Sequence, residues 1–137
     1  MASNMGASSA NNLLDYFLRT TNSGNQTQAP SLWVGLCTGT PTASATNECS
    51  IANNYGRVQI AWSTASGGSA TGPTGTATWS SASGSWGTIS GYVICGASTG
   101  STGTSQYLAF GTVSPTVAVT TNDTVSMSAA AMTLSFS

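Results

Sequence analysis

Lysine and histidine are absent from the 137 residues, and the only charged side chains are Asp15, Arg19, Glu48, Arg57 and Asp123. Charged residues make up 4% of the chain, where about 25% is usual in a soluble domain. Each shortage excludes something. Two cations cannot neutralise a row of phosphates, so no nucleic-acid partner is expected. Without His or Lys, a Ser, Thr or Cys lacks the base that would activate it. Of the three carboxylates, Asp15 suits the first turn of a helix and Asp123 a chain reversal, so neither reads as half of a glycosidase pair. The chain is therefore read as a non-enzyme with no catalytic residues. Lacking His and any Cys-x-x-Cys spacing, it is expected to hold no metal, and no cofactor is implied. No apolar run approaches the roughly 18 residues of a spanning helix and no basic amphipathic face appears, so no membrane partner is expected. The first ten residues have neither the basic start nor the apolar centre of a secretory signal.

What is present is Ser, Thr, Gly, Ala and Asn, at a net charge of −1. A freely diffusing protein usually keeps its net charge away from zero to avoid association. A surface of hydroxyls and amides suits a chain held in an assembly or working outside a cell. The three cysteines are an odd number. Cys95 reads as a small buried hydrophobe. Cys37 and Cys49 bracket a loop, and a bridge between them requires Cα atoms within about 7 Å.

The stretch Ser85 to Cys95 organises the rest. Ile89, Gly91, Val93 and Cys95 alternate with Ser90, Tyr92 and Ile94, and both faces end apolar, which predicts a central strand. Gly91 offers room for a backbone or a bulky ring, and Trp86 is placed to cover the end of a core. Residues 1–11 are small and polar and read as an N-terminal arm that a neighbour would have to hold. From 12 to 20, Leu13, Leu14, Phe17 and Leu18 gather on one stripe and predict a short helix, capped by Asn11 or Asn12. Leu32 to Cys37 reads as a strand buried on both faces. Residues 38–56 form a long irregular excursion, where a contact surface is expected, with Tyr55 the aromatic most exposed.

Further on, Arg57 to Ser63 alternates, with Val58, Ile60 and Trp62 one way and Arg57, Gln59, Ala61 and Ser63 the other. Residues 65–75 read as a loose Gly/Ser loop. Thr76 to Ser80 presents Trp79, and Gln106 to Val113 carries Tyr107, Leu108 and Phe110. Pro115 is expected to interrupt before 116–120, Asn122-Asp123 to make a turn, and 124–136 to alternate again with Met132, Leu134 and Phe136 on one side. Seven or eight short strands and one short helix predict an all-β fold, an antiparallel β-sandwich or jelly roll with one short N-terminal helix, as a single domain over 12–137.

The order of the motifs carries a resemblance. Leu13-Leu14 is followed by Trp33-Val34-Gly35-Leu36, Pro41, Glu48, Tyr55-Gly56-Arg57 and Trp79-Ser80-Ser81-Ala82, then by Gly84-Ser85-Trp86-Gly87-Thr88-Ile89, Leu108-Ala109-Phe110-Gly111 and Asn122-Asp123-Thr124-Val125. This order resembles a family of small tailed-phage virion proteins, often labelled tail-fibre-like, some of them similar to capsid decoration (cement) proteins. The chain departs from it at Asn122-Asp123, where Gly-Asp is common, and at the last strand, where Met132 or Leu134 replaces Ile. The resemblance implies a virion protein on the capsid exterior. It would bind the major capsid protein as a homo-oligomer, such as a trimer, and stabilise the shell. Ser3 and Asn4 in the arm, and Asn53 and Tyr55 in the 38–56 excursion, are then the expected contacts, with Glu48 and Arg57 as polar anchors. The alternative it implies is a tail-fibre or adhesin head that binds a host-surface glycan through exposed aromatics.

Overall fold

The computed structural model describes residues 32–42, 47–96, 98 and 107–135. The expected arm, the helix over 12–20 and Phe136 lie outside the described residues. Within them the chain is all-β: β1 Leu32–Cys37, β2 Val58–Ile60, β3 Ser69–Gly72, β4 Ala77–Thr78, β5 Gly87–Cys95, β6 Tyr107–Val119, β7 Ser126–Met127 and β8 Met132–Ser135. The sheets are antiparallel. Four strands run in the order β2-β1-β5-β6, while β3 pairs with β8 and β4 with β7. The chain is divided into two compact units, one built from Leu32–Gln59 and Thr78–Ser126, the other containing Ile60–Ala77 and the chain from Met127.

In the first unit β5 is central, as its sequence predicts, with β1 on one side (Gly35 opposite Val93, Cys37 opposite Gly91) and β6 on the other. Ile89, Gly91, Val93 and Cys95 are all buried, while Ser90 and Tyr92 on the opposite face are half-buried and Ile94 is buried. Leu32, Val34 and Leu36 of β1 add to the core, each buried aliphatic side chain contributing roughly 1.5–3 kcal/mol. The close approach anticipated at Gly91 is made by the Pro41 ring and by the Gly111 carbonyl, which lies 3.0 Å from where a Cβ would stand. The turn into β5 has Gly87 at φ +90°, a conformation that only glycine adopts without strain. Trp86 is buried and donates its Nε1–H to the Asn53 carbonyl at 2.8 Å.

β6 corrects the expectation of two strands broken at Pro115. It runs unbroken for 13 residues, and the proline is accommodated by a bulge. Moving from Gly91 to Ile89 on β5 shifts the partner from Thr112 to Val117 on β6, leaving the residues around Pro115 out of register. A second irregularity lies at Ile94/Cys95, whose partners are Ala109 and Tyr107. The Asn122-Asp123 turn forms as expected, with Asn122 at φ 72° and the Asp123 carboxylate accepting from the Thr120 N–H (2.7 Å) and hydroxyl (2.8 Å). These bonds favour the ionised form and hold the Asp123 carboxyl below its ordinary range.

The second unit holds the other correction. Residues 69–72 form β3 instead of a loose loop, paired with β8 from Ser69 opposite Ser135 to Gly72 opposite Met132. Ser-Ala-Thr-Gly has little β propensity, so partner pairing decides its conformation. Gly72 lies under the Trp62 ring, 2.7 Å from the site of an absent Cβ. The buried Nε1 atoms of Trp62 and, in the first unit, Trp79 have no hydrogen-bond partner, a local cost of about 1–3 kcal/mol each.

Candidate functional site

The excursion after β1 turns back on the strand it has left. Cys37 bridges Glu48, the Cys49 N–H donates to the Leu36 carbonyl at 2.9 Å, and the Thr38 N–H donates to the Asn47 carbonyl at 3.0 Å. This return places the Glu48 carboxylate over Gly35, where an added Cβ would collide with Oε1 and stand 2.9 Å from Cδ.

Around that carboxylate the chain gathers three of its polar side chains. Arg57 donates from Nε to Oε1 at 2.8 Å and from Nη2 to Oε2 at 2.7 Å, a side-on bidentate pair. The Tyr55 hydroxyl accepts the Leu36 N–H at 2.7 Å and donates to Oε1 at 3.1 Å. The Tyr107 hydroxyl donates to Oε2 at 3.3 Å, and the Arg57 guanidinium carbon sits 5.6 Å from the centre of the Tyr107 ring. Arg57 is almost fully enclosed, its side chain 1% exposed, and that of Glu48 11%. The hydrogen bonds Arg57 donates to Glu48 raise the Arg57 pKa, and burial followed by the Glu48 charge raises that of Tyr55. Both groups are thereby fixed in their ordinary forms, a cation and a neutral phenol. With two donors on each oxygen the carboxylate is saturated. The arrangement ties the excursion, the approach to β2 and the start of β6 together, and it presents no free group for proton transfer or ligand capture.

Of the expected contact residues, the structure thus brings together Glu48, Tyr55 and Arg57. Tyr55 is buried, contrary to the expectation of exposure, because its ring packs edge-on against Trp86 (centroids 5.4 Å apart, planes at 77°) and its hydroxyl is used inside. Arg57 is buried as well, since its ion pair with Glu48 overrides its place on the polar side of the strand alternation. Asn53 stands nearby and is exposed. With Asn54 it occupies the left-handed region (φ 58° and 64°), and their side-chain amides donate to the Ser85 and Ser81 carbonyls at 2.9 Å each, pinning the loop. Ser3 and Asn4 lie outside the described residues.

Cys37, Cys49 and Cys95 are all free and buried. Loss of hydration pushes their thiols up to about 12, 11 and 12 respectively, so none is poised as a thiolate nucleophile. Among the described residues no three metal-ligating side chains come together, and no helix is long and apolar enough to cross a membrane.

Sequence reasoning missed the outer surface. Among the described residues the large exposed apolar side chains are Ile51, Leu108, Phe110 and Val117. Three of these belong to β6, the terminal strand of its sheet. The signal was available in Tyr107–Val113, whose alternation leaves Leu108 and Phe110 on positions that no other predicted strand claims. With Glu48 and Arg57 paired inside, Asp123 is the one exposed ionisable side chain among the described residues. The surface of the described residues is therefore almost without charge.

None of the curated proteins compared with the chain matches it. The family model described as "Podophage GP4 fiber I protein gp80" matches residues 4–135, nearly the whole sequence. The chain therefore belongs to the podophage GP4 fiber I protein gp80 family, and it is a structural component of a tailed-phage virion.

Proposed function

We propose that the protein is a non-catalytic subunit of a fibre on a podophage-like virion, and that it works by packing against other subunits through uncharged β-strand surface. The family description supports the fibre position. The observation that carries the mode of action is the pairing of a saturated interior ion pair with an exterior that is nearly charge-free among the described residues, on which Leu108, Phe110 and Val117 are exposed. Such a surface gains little from electrostatic steering and much from desolvating apolar area.

A second reading, capsid decoration, shares the same surface. A cement protein bridging several capsid subunits would hold by multivalency, because all contacts must release together. Quantitative mass spectrometry of purified virions, with gold-labelled antibody, separates the two. A small fixed copy number and label on tail appendages is the expected result. A copy number that scales with the capsid lattice, and label over the head, would replace the fibre by a shell-clamping role. Specific glycan binding by the isolated chain would place it instead at the host-facing tip.

A further inference from the structure

We infer that β6 is a self-pairing edge: the strand around Phe110, residues 109–111 with Leu108 and Thr112 flanking them, joins the same strand of a second copy of this chain, antiparallel and centred on Phe110. The inference rests on the reading of the protein as an assembling virion subunit and names the surface that assembles.

As the terminal strand of the β2-β1-β5-β6 sheet, β6 has a hydrogen-bonding edge that no other described strand covers. Natural sheets protect such an edge with charge, proline or a bulge. This one has no charged residue anywhere from Tyr107 to Val119. Its protection lies only at the two ends of a short window. One irregularity falls at Leu108, which the register skips between Ala109 and Tyr107, and the other follows Thr112, around Pro115. Between them Ala109, Phe110, Gly111 and Thr112 stay in register with Ile94, Val93, Tyr92 and Gly91. An uncharged window in regular register is thus left without a described strand on its outer side, with Phe110 47% exposed upon it and Leu108, at its end, equally exposed.

The sequence of the window selects a copy of itself as the occupant. About a two-fold axis at Phe110, Ala109 falls opposite Gly111, Leu108 opposite Thr112, and Phe110 opposite Phe110. Ala109 and Gly111, small residues, meet on one face, while on the other the aromatic pair is flanked by Leu108 and the β-branched Thr112, a favourable cross-strand combination. A partner recognised by charge gains nothing here, whereas a second neutral strand matches at every position. Because both copies use the same edge, pairing closes after one partner as an isologous contact, and the bulges limit its length. Main-chain bonds give the affinity, and the alternating side chains set the register.

Sedimentation velocity on the full chain over a concentration series tests this, with wild type beside Phe110→Lys and Leu108→Glu. A charge at either position has to be desolvated in the pair, so dimerisation is expected to weaken at least tenfold, a loss of about 1.4 kcal/mol. Thermal melts of the variants report whether they remain folded. Independently, Phe110→Cys under mild oxidation should give a covalent dimer, because facing residues of an antiparallel pair stand about 4.5–5.5 Å apart at Cα, within disulfide reach. The three native thiols are buried, and the exposed Ser128→Cys control should stay monomeric. Wild type that associates equally well in both charged variants, with no cross-link through position 110, would overturn the β6 inference and leave the assembly reading standing. Wild type that stays monomeric throughout, cross-link included, would overturn the inference, with virion copy number then deciding the wider reading.

Discussion

Replacing Glu48 by glutamine keeps the shape of the side chain and removes its charge. The structure shows what would be stranded. The Arg57 side chain is 1% exposed, and its Nε and Nη2 both donate to the lost carboxylate. An amide offers one accepting oxygen and turns its own donors towards the rest of the group, so at most one arm of the bidentate pair survives, and the Tyr55 or Tyr107 hydroxyl loses its acceptor. Removing one partner of a buried pair costs about 3–5 kcal/mol. Glu48 is 11% exposed, so water reaches the site in part, and a loss near the lower end, about 3 kcal/mol, is expected. With a urea m-value of about 2 kcal/mol/M, the unfolding midpoint of Glu48→Gln should fall by about 1.5 M. The double variant Glu48→Gln with Arg57→Met removes the stranded cation. It should be more stable than Glu48→Gln alone by about 1 kcal/mol, a coupling typical of residues in one network. A midpoint shift under about 0.3 M would place the pair among exposed ion pairs of small worth and refute the reasoning.

Alkaline pH should destabilise the fold through the thiols. Folded Cys37, Cys49 and Cys95 are raised from 9.0 to about 12, 11 and 12, so their stabilising contribution is complete below pH 9 and is lost as pH rises towards those values. Each should remove about 1.4 kcal/mol per pH unit in that window, with Tyr55 adding to the loss above about pH 10; urea midpoints that stay flat up to pH 11 would contradict this. Gly91→Ala should cost more than Gly111→Ala, by about 1–2 kcal/mol. The first meets the Pro41 ring and the Gly111 carbonyl, whereas the second meets only the far end of the half-buried Tyr92 side chain; equal melting points for the two variants would count against it. Self-association should persist from low salt to about 1 M, where screening is nearly complete, and a steep loss over that range would mean that charge holds the contact.

Much of the fold could be read from residues alone because local pattern and tertiary role agree there. The alternation from Ile89 to Cys95 marks the central strand, Asn122-Asp123 marks its turn, and the all-β antiparallel class follows. Where long-range partners decide, reading fails. Ser69–Gly72 becomes a strand because β8 lies beside it, a fact absent from four small residues. Arg57 sits on the polar side of an alternating run, and nothing in that run shows that Glu48, nine positions earlier, folds back over Gly35 to meet it. The same return buries Tyr55, which as a loop tyrosine beside a glycine reads as exposed. Pro115 signals a break, and the break is real in the register, although the strand itself passes through it.

The scarcity of charge acts in two places at once. An isolated buried ion would be expensive, so a chain that encloses an arginine must supply a saturated carboxylate beside it, and here the Tyr55 and Tyr107 hydroxyls complete the carboxylate's shell, with the Leu36 amide donating to Tyr55 in turn. Enclosing Glu48 and Arg57 takes a carboxylate and the described chain's only guanidinium away from the surface. Apart from Asp123, what the described residues leave outside is hydroxyl, amide and apolar. On a solitary soluble protein such a surface invites association. On the assembling subunit proposed above association is the function, and the residues that would decide where it occurs are those that interrupt β-strand register, because they set how far an uncharged edge can pair. The bulges of β6 therefore matter to assembly as much as the exposed Leu108 and Phe110: they confine a sticky edge to a window of a few residues, and a confined edge makes a defined contact where an open one would aggregate.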